Sequence, residues 1–313
     1  MLIAGFAGLV VGGDLLVRGA VVLARRLGIS PMVIGLTLVG FGTSMPELVT
    51  SLQAALAGSP GIAVGNVVGS NTANILLIMG MAALIAPMAV QRAAFQRDGL
   101  FLVLATAACL AVVLSGSIGR AAGMALIAGL GVYMGLTLYL DRASTVRQQG
   151  AGLDLAAPEP GGSAVWRALG QFLAGLILTI VAARLLVAGA ISLAAGLGVS
   201  EAVIGVSIVA VGTSMPELIT SVVAARQRQA DIAFGNVLGS NIFNILGILG
   251  VTAAVHPLTV PAQILALDIW VMTGATALLV AFAWSGWRIS RGEGAAMLAL
   301  YGLYLAWMVH AVT

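Results

Sequence analysis

Charge is what this sequence has least of. Only 8% of its 313 residues are charged, and all fourteen basic residues are arginine, with no lysine. Cysteine occurs once, histidine twice, and aromatic residues make up 5%. A soluble domain carries about a quarter charged residues, so a water-soluble fold would have to pack nearly every residue into a core. The single cysteine, Cys109, lies in an apolar stretch; it excludes an intramolecular disulfide and reads as a small core hydrophobe. His256 and His310 stand far apart and adjoin no motif. With no His-Glu-x-x-His, Gly-x-Gly-Asp or neighbouring Ser and His, an intramembrane enzyme lacks both a nucleophile–base pair and metal ligands. No cleavable leader is expected, because the apolar start Met1–Val11 runs on past Asp14 and Arg18 without a cleavage site.

What the chain has is apolar length. It is 60% hydrophobic, with a mean hydropathy of +1.11, and this places it in a bilayer, where lipid takes the place of a core. Ten runs approach the ~20 residues that a membrane crossing needs: 2–24, 31–57, 62–86, 99–115, 119–140, 165–195, 201–225, 231–255, 263–285 and 294–312. The expected fold is therefore an all-α polytopic membrane protein of ten transmembrane helices. The one long polar break, 141–164, is rich in Gly, Pro and Gln and reads as a linker between a first unit, 1–140, and a second, 165–313. The net charge of +3 reflects arginines in short loops and is no sign of nucleic-acid binding. With the N-terminus outside, Arg25, Arg26, Arg92, Arg97, Arg142, Arg147, Arg167, Arg226, Arg228, Arg288 and Arg291 all fall on inward loops, and only Arg120 on an outward one. By the positive-inside rule both termini face out and the linker faces the cytoplasm. Arginine as the sole basic residue, with Ala and Gly abundant and loops short, suggests a prokaryotic plasma (inner) membrane.

Shifted by 170, the sequence lies on itself. Gly35-Leu-Thr-Leu-Val-Gly-Phe-Gly-Thr-Ser-Met-Pro-Glu-Leu matches Gly205-Val-Ser-Ile-Val-Ala-Val-Gly-Thr-Ser-Met-Pro-Glu-Leu, and Gly65-Asn-Val-Val-Gly-Ser-Asn-Thr-Ala-Asn matches Gly235-Asn-Val-Leu-Gly-Ser-Asn-Ile-Phe-Asn. Five spans per copy is an odd number, so the second copy enters the membrane the other way up. Such inverted repeats are a plan of secondary transporters, with the substrate site at the repeat interface.

Glu47 and Glu217 sit near the middle of their runs. A charge there costs at least ~2.5 kcal/mol on insertion scales, so each is expected to face protein, water or a cation. Pro46 and Pro216 remove an N–H from the helix, and Gly40, Gly42 and Gly212 soften it just before. Broken helices at this depth are tolerated where the freed carbonyls line a cavity, and Na⁺ and Ca²⁺ are hard cations that prefer such oxygens. Thr43, Glu47, Thr50 and Ser51 share one helical face, as do Asn66, Ser70 and Asn74; Thr213, Glu217, Thr220, Ser221 and Asn236, Ser240, Asn244 repeat both stripes. For Thr50, Ser51, Asn66 and their counterparts, hydrogen bonding between helices competes with ion contact. Asp98, Asp268, Asp14, Asp231 and Glu293 read as acids at helix starts.

The duplicated Gly-Thr-Ser-Met-Pro-Glu and Gly-Asn-x-x-Gly-Ser-Asn blocks resemble the two α-repeats of the sodium/calcium exchanger family, in its prokaryotic form, closely over 31–86 and 201–256. The resemblance implies an antiporter, not an enzyme, that exchanges Na⁺ for Ca²⁺ by alternating access. It implies Glu47 and Glu217 as central ligands, with side-chain oxygens of Thr43, Ser44, Thr213, Ser214, Ser70 and Ser240 and backbone carbonyls of Gly40 and Ala210. The remaining pair is Asn74 and Asn244, where some members carry an aspartate; two asparagines remove a third negative charge. It further implies that the first and sixth spans slide across the others, for which their glycine and alanine content would suit a low-friction surface. Na⁺ and Ca²⁺ are then substrates, with no cofactor and no nucleic acid; the oligomeric state is not given by the sequence, and a functional monomer is expected. A Ca²⁺/H⁺ antiporter stays open as the alternative, although related proton-coupled exchangers carry an acid where Gly69 and Gly239 stand. A cation channel fits a duplicated chain with one central site less well.

Overall fold

In hydrocarbon every backbone N–H and C=O must find its partner within the protein, which leaves apolar runs of this length little choice but helix. The computed structural model describes residues 1–150, 162–196 and 210–312. Its helices are α1 (Leu2–Leu27), α2 (Pro31–Thr43), α3 (Met45–Leu56), α4 (Pro60–Ile85), α5 (Arg92–Leu114), α6 (Arg120–Gly150), α7 (Gly162–Gly196), α8 (Ala210–Thr213), α9 (Met215–Arg226), α10 (Ala230–Val255), α11 (Ile264–Gly286) and α12 (Arg291–Val312). Among the described residues seven helices are long and apolar enough to cross a bilayer, and the bent pair α2–α3 makes an eighth. α12 occupies the place of the expected tenth span. The expected seventh, 201–225, is described only from Ala210 onward, and its first part lies outside the described residues. Helix reaches into both ends of the polar break, since α6 continues to Gly150 and α7 begins at Gly162; the rest of it lies outside the described residues.

α10 and α4 form the centre, 89% and 72% buried, against 22–44% for the other long spans. Close approach of backbones explains why helices so poor in bulky side chains pack there. A Cβ on Gly35 would lie 2.7 Å from the carbonyl oxygen of Ile232, and one on Gly235 would lie 2.5 Å from that of Met32. A Cβ on Gly239 would overlap the carbonyl of Leu36. Only glycine lets α2 and α10 touch in this way. Three of these central helices also contain a wide turn: Gly35–Val39 in α2, Asn74–Met79 in α4 and Phe243–Leu249 in α10 are π-helical. Each wide turn shifts the phase of the side chains that follow it.

α1 and α7 form a second unit. Gly5, Gly12 and Gly19 stand seven apart on α1, and a Cβ on each would come within 2.7 Å of Leu186 N, 2.6 Å of Thr179 Oγ1 and 2.6 Å of Phe172 N. The spacing of seven keeps the three on one stripe of a slightly wound antiparallel pair. These glycines therefore fasten α1 to α7, which corrects the expectation of a slippery surface toward the rest of the bundle. Gly13 alone of this group turns toward α9, against Ile219 and Val223.

Two minimal ribbons tie the loops. β1 (Met88–Ala89) pairs with β4 (Arg288–Ile289), and β2 (Ser117–Ile118) with β3 (Leu258–Thr259), both antiparallel. Thr106 and its counterpart under the shift of 170, Thr276, meet hydroxyl to hydroxyl at 3.4 Å. A residue touching its own repeat-mate lies on the axis that relates the two.

Candidate cation-binding site

Both broken helices break at a serine. Ser44 (φ −85°, ψ 5°) ends α2 and starts α3 at a bend of 42°, and Ser214 (φ −88°, ψ 11°) does the same between α8 and α9. The prolines explain where. Pro46 and Pro216 are second in the new helices, positions whose N–H would have had no partner anyway. The glutamates then come third, in a first turn where free N–H groups and the helix dipole favour a carboxylate. Glu47 and Glu217 are each 1% exposed.

Each break reaches across to the other half. Ser44 Oγ donates to Glu217 Oε1 at 2.8 Å, and Ser214 Oγ donates to Glu47 Oε1 at 3.3 Å. Since Ser44 and Glu47 lie three residues apart, the two bonds draw both carboxyl groups into one compartment. The outer oxygens brace this arrangement. Asn66 Nδ2 donates to the Glu47 carbonyl (3.2 Å) and to Ser51 Oγ (2.9 Å), and Asn236 Nδ2 to the Glu217 carbonyl (3.3 Å) and Ser221 Oγ (2.8 Å). For these four side chains the interhelical bond is the observed role. Thr50, by contrast, lines an open cleft with Thr213.

The remaining expected ligands differ in what holds them. Thr43 is buried and bonds to Val39 O (3.1 Å) and to Asn236 Oδ1 (3.3 Å). Ser240 Oγ donates to the Gly40 carbonyl at 3.2 Å, so that carbonyl already has a partner. Ser70 is buried on α4, and Ala210 opens α8. Asn74 and Asn244 begin the wide turns of α4 and α10, each 1% exposed.

The polar atoms left over are the most informative. Glu47 Oε2, Glu217 Oε2, Asn74 Oδ1 and both polar atoms of the Asn244 amide are buried without a hydrogen-bond partner. A buried unpaired polar atom costs about 1–3 kcal/mol, more when charged, so each of these asks for a partner. Four of the five are oxygens, the donor type of hard cations. Among the described residues no three His, Cys, Asp or Glu gather, so two carboxylates must be completed by neutral oxygens.

Some features had no signal in the sequence. Phe41 stacks on Phe243 with ring centroids 4.3 Å apart; the shift of 170 puts Val211 and Ala73 at the matching places, so the stack exists on one side only. Three acids also correct their reading as helix starts. Asp98 is fully buried inside α5 and held by two Arg97 bonds of 2.8 Å. Asp268 accepts from the Tyr304 hydroxyl at 2.9 Å, and Asp14 sits mid-helix beside Arg18 at 2.9 Å. Burial makes a side-chain partner more valuable to Asp98 and Asp268 than a helix end. Glu293 does cap its helix, exchanging bonds with Ser290 across a capping box, and Asp231 lies in the first turn of α10.

Comparison with known proteins agrees over nearly the whole length. The family model described as sodium/calcium exchanger protein matches residues 1–139 and 167–310. A putative antiporter, CaxA of Alkalimonas amylolytica, is 37% identical over 95% of this chain and 94% of its own. The sodium/calcium exchanger MaX1 of Methanosarcina acetivorans is 34% identical over 97% and 96%. A structure of the sodium-calcium exchanger NCX_Mj soaked with Na⁺ and Ca²⁺ superposes with a TM-score of 0.84 at 31% identity, covering 97% of this chain and 96% of that one.

Proposed function

The chain belongs to the sodium/calcium exchanger family, and from that premise we propose that it carries Ca²⁺ against Na⁺ through one site built on Glu47 and Glu217. It is a multi-pass membrane protein of an exchanger family, not an enzyme family. The observation that carries the finer reading is the reciprocal pair Ser44–Glu217 and Ser214–Glu47, with each glutamate's second oxygen buried and unpartnered. Two negative charges match one Ca²⁺ or a small number of Na⁺, together with hydroxyl and amide oxygens from Thr43, Thr213, Ser70, Ser240, Asn74 and Asn244. Competition for the same oxygens couples the two flows, because an empty, doubly charged site resists crossing the low-dielectric barrier. Alternating access follows from two pseudo-equivalent halves, 1–140 and 165–313, packed around that centre.

We place the protein in a prokaryotic inner membrane with both termini outside and the linker cytoplasmic. The ribbons agree with the shared sidedness this requires, whichever side is inside: β1–β4 joins two loops that arginine places on one side, and β2–β3 joins two that it places on the other. The deciding experiment is Ca²⁺ flux into proteoliposomes driven by an opposing Na⁺ gradient. Uptake that follows the Na⁺ gradient is expected; uptake that follows a pH gradient with Na⁺ absent would replace this reading with Ca²⁺/H⁺ antiport.

A further inference from the structure

The cleft beside the candidate site carries a charge of the sign that repels a cation. Its volume is about 250 Å³; one wall is α7 between Ile180 and Ile191, and its floor includes Pro46, Thr50, Thr213 and Pro216. Arg184 is the sole charged side chain among its described lining residues. The shift of 170 sets Arg184 opposite Asp14, so the two halves differ in sign at matching places. The charges also differ in compensation. Asp14 has Arg18 at 2.9 Å and accepts from Gln227 Nε2 at 2.8 Å. Arg184 has Ile180 and Ala188 one turn away on its own helix, and among the described residues no carboxylate lies within 4.0 Å of it.

We propose that Arg184 is a specificity-determining residue for cation entry through this cleft, setting Ca²⁺ against Na⁺ on that face alone. The proposal rests on the exchanger reading above. A fixed positive charge over a narrow, low-dielectric passage raises the local potential, and the energy of an ion there is its charge multiplied by that potential. The penalty on Ca²⁺ is therefore twice that on Na⁺, and the factor by which Ca²⁺ occupancy falls is the square of the factor for Na⁺. At the matching place in the other half stands an acid, Asp14, paired with Arg18, so the same unpaired positive charge does not recur there.

The test uses the full chain reconstituted in right-side-out and inside-out vesicles, with half-saturating Ca²⁺ and Na⁺ measured on each face. For Arg184→Gln at low ionic strength, half-saturating Ca²⁺ on the cleft face is expected to fall on the order of tenfold and Na⁺ about threefold. Both shifts should shrink as choline chloride is raised. Arg184→Lys should stay near the parent protein, and Arg184→Glu should go further than Gln. A merely structural arginine would move both ions alike, or both faces alike, or Lys as much as Gln; any of these results, or no shift at all, overturns the proposal. Absence of exchange in the parent protein instead removes the exchanger reading and this proposal with it, so the two failures are told apart.

Discussion

At the scale of single residues, the proposed site depends on how two buried carboxylates are held without a salt bridge among the described residues. Each has one oxygen bonded to a serine from the other half and one oxygen with no partner. Replacing Glu47 or Glu217 by Gln keeps the shape and removes a charge, so transport should be abolished while the protein remains folded. Near-normal Na⁺-driven Ca²⁺ flux in both variants would remove the site assignment. Ser44→Ala deletes a bond to a charged group, a contribution of about 1.5–3 kcal/mol, and should weaken apparent ion affinity about tenfold or more. Equilibrium Ca²⁺ binding by calorimetry reads this directly. Asn244→Asp adds a third negative charge near the centre and should change the number of Na⁺ moved per Ca²⁺ more than the Ca²⁺ affinity. A reversal-potential measurement that returns the parent ratio would refute it. Glu47 and Glu217 were legible in the sequence as candidates, because a carboxylate that recurs at membrane depth in both halves is too costly to face lipid and must face protein, water or a cation; Ser44 was implied only by the family resemblance. Which oxygens brace and which stay unpaired was not legible: Ser51 and Thr50 share a helical face by spacing, yet one bonds Asn66 and the other lines a cleft.

At the scale of helices, glycine decides what touches what. The repeat of Gly65-x-x-x-Gly69 as Gly235-x-x-x-Gly239 showed where a close approach could occur but not which copy used it. Gly235 and Gly239 press on the Met32–Leu36 backbone, whereas Gly69 has nothing within 4 Å among the described residues. Gly239→Leu should therefore lower the melting temperature in detergent much more than Gly69→Leu, by a destabilisation of several kcal/mol against a smaller one. Equal losses would mean that the α2–α10 contact is not the tight one. The seven-residue spacing of Gly5, Gly12 and Gly19 was present in the sequence as well, but periodicity alone cannot say whether a small-residue stripe glides or grips. The π-helical turns at Asn74 and Phe243 left no trace in composition. They arise where tertiary packing pulls a side chain out of the regular phase.

At the scale of the whole molecule, the arrangement is two halves that exchange contacts in matched pairs. The ribbons are the most accessible check on its orientation. Cys109 is the only cysteine and is fully buried, so single introduced cysteines report their own surroundings. Ser117→Cys should react with a membrane-impermeant thiol reagent added outside intact cells, and Arg288→Cys only in inverted vesicles. Labelling of both from one side would contradict the arrangement.

Composition by itself determined that this chain lives in lipid, that it is helical, and that two glutamates must meet something other than hydrocarbon, because each conclusion follows from the cost of placing a group in an apolar medium. The internal repeat added which residues are equivalent. Only the tertiary structure decided which equivalents touch: that Ser44 serves Glu217 and not its own neighbour, that Gly12 meets Thr179, and that Arg184 overlooks a cleft while Asp14 is paired. Those outcomes depend on distances between segments far apart in the chain, and no local pattern of residues encodes them.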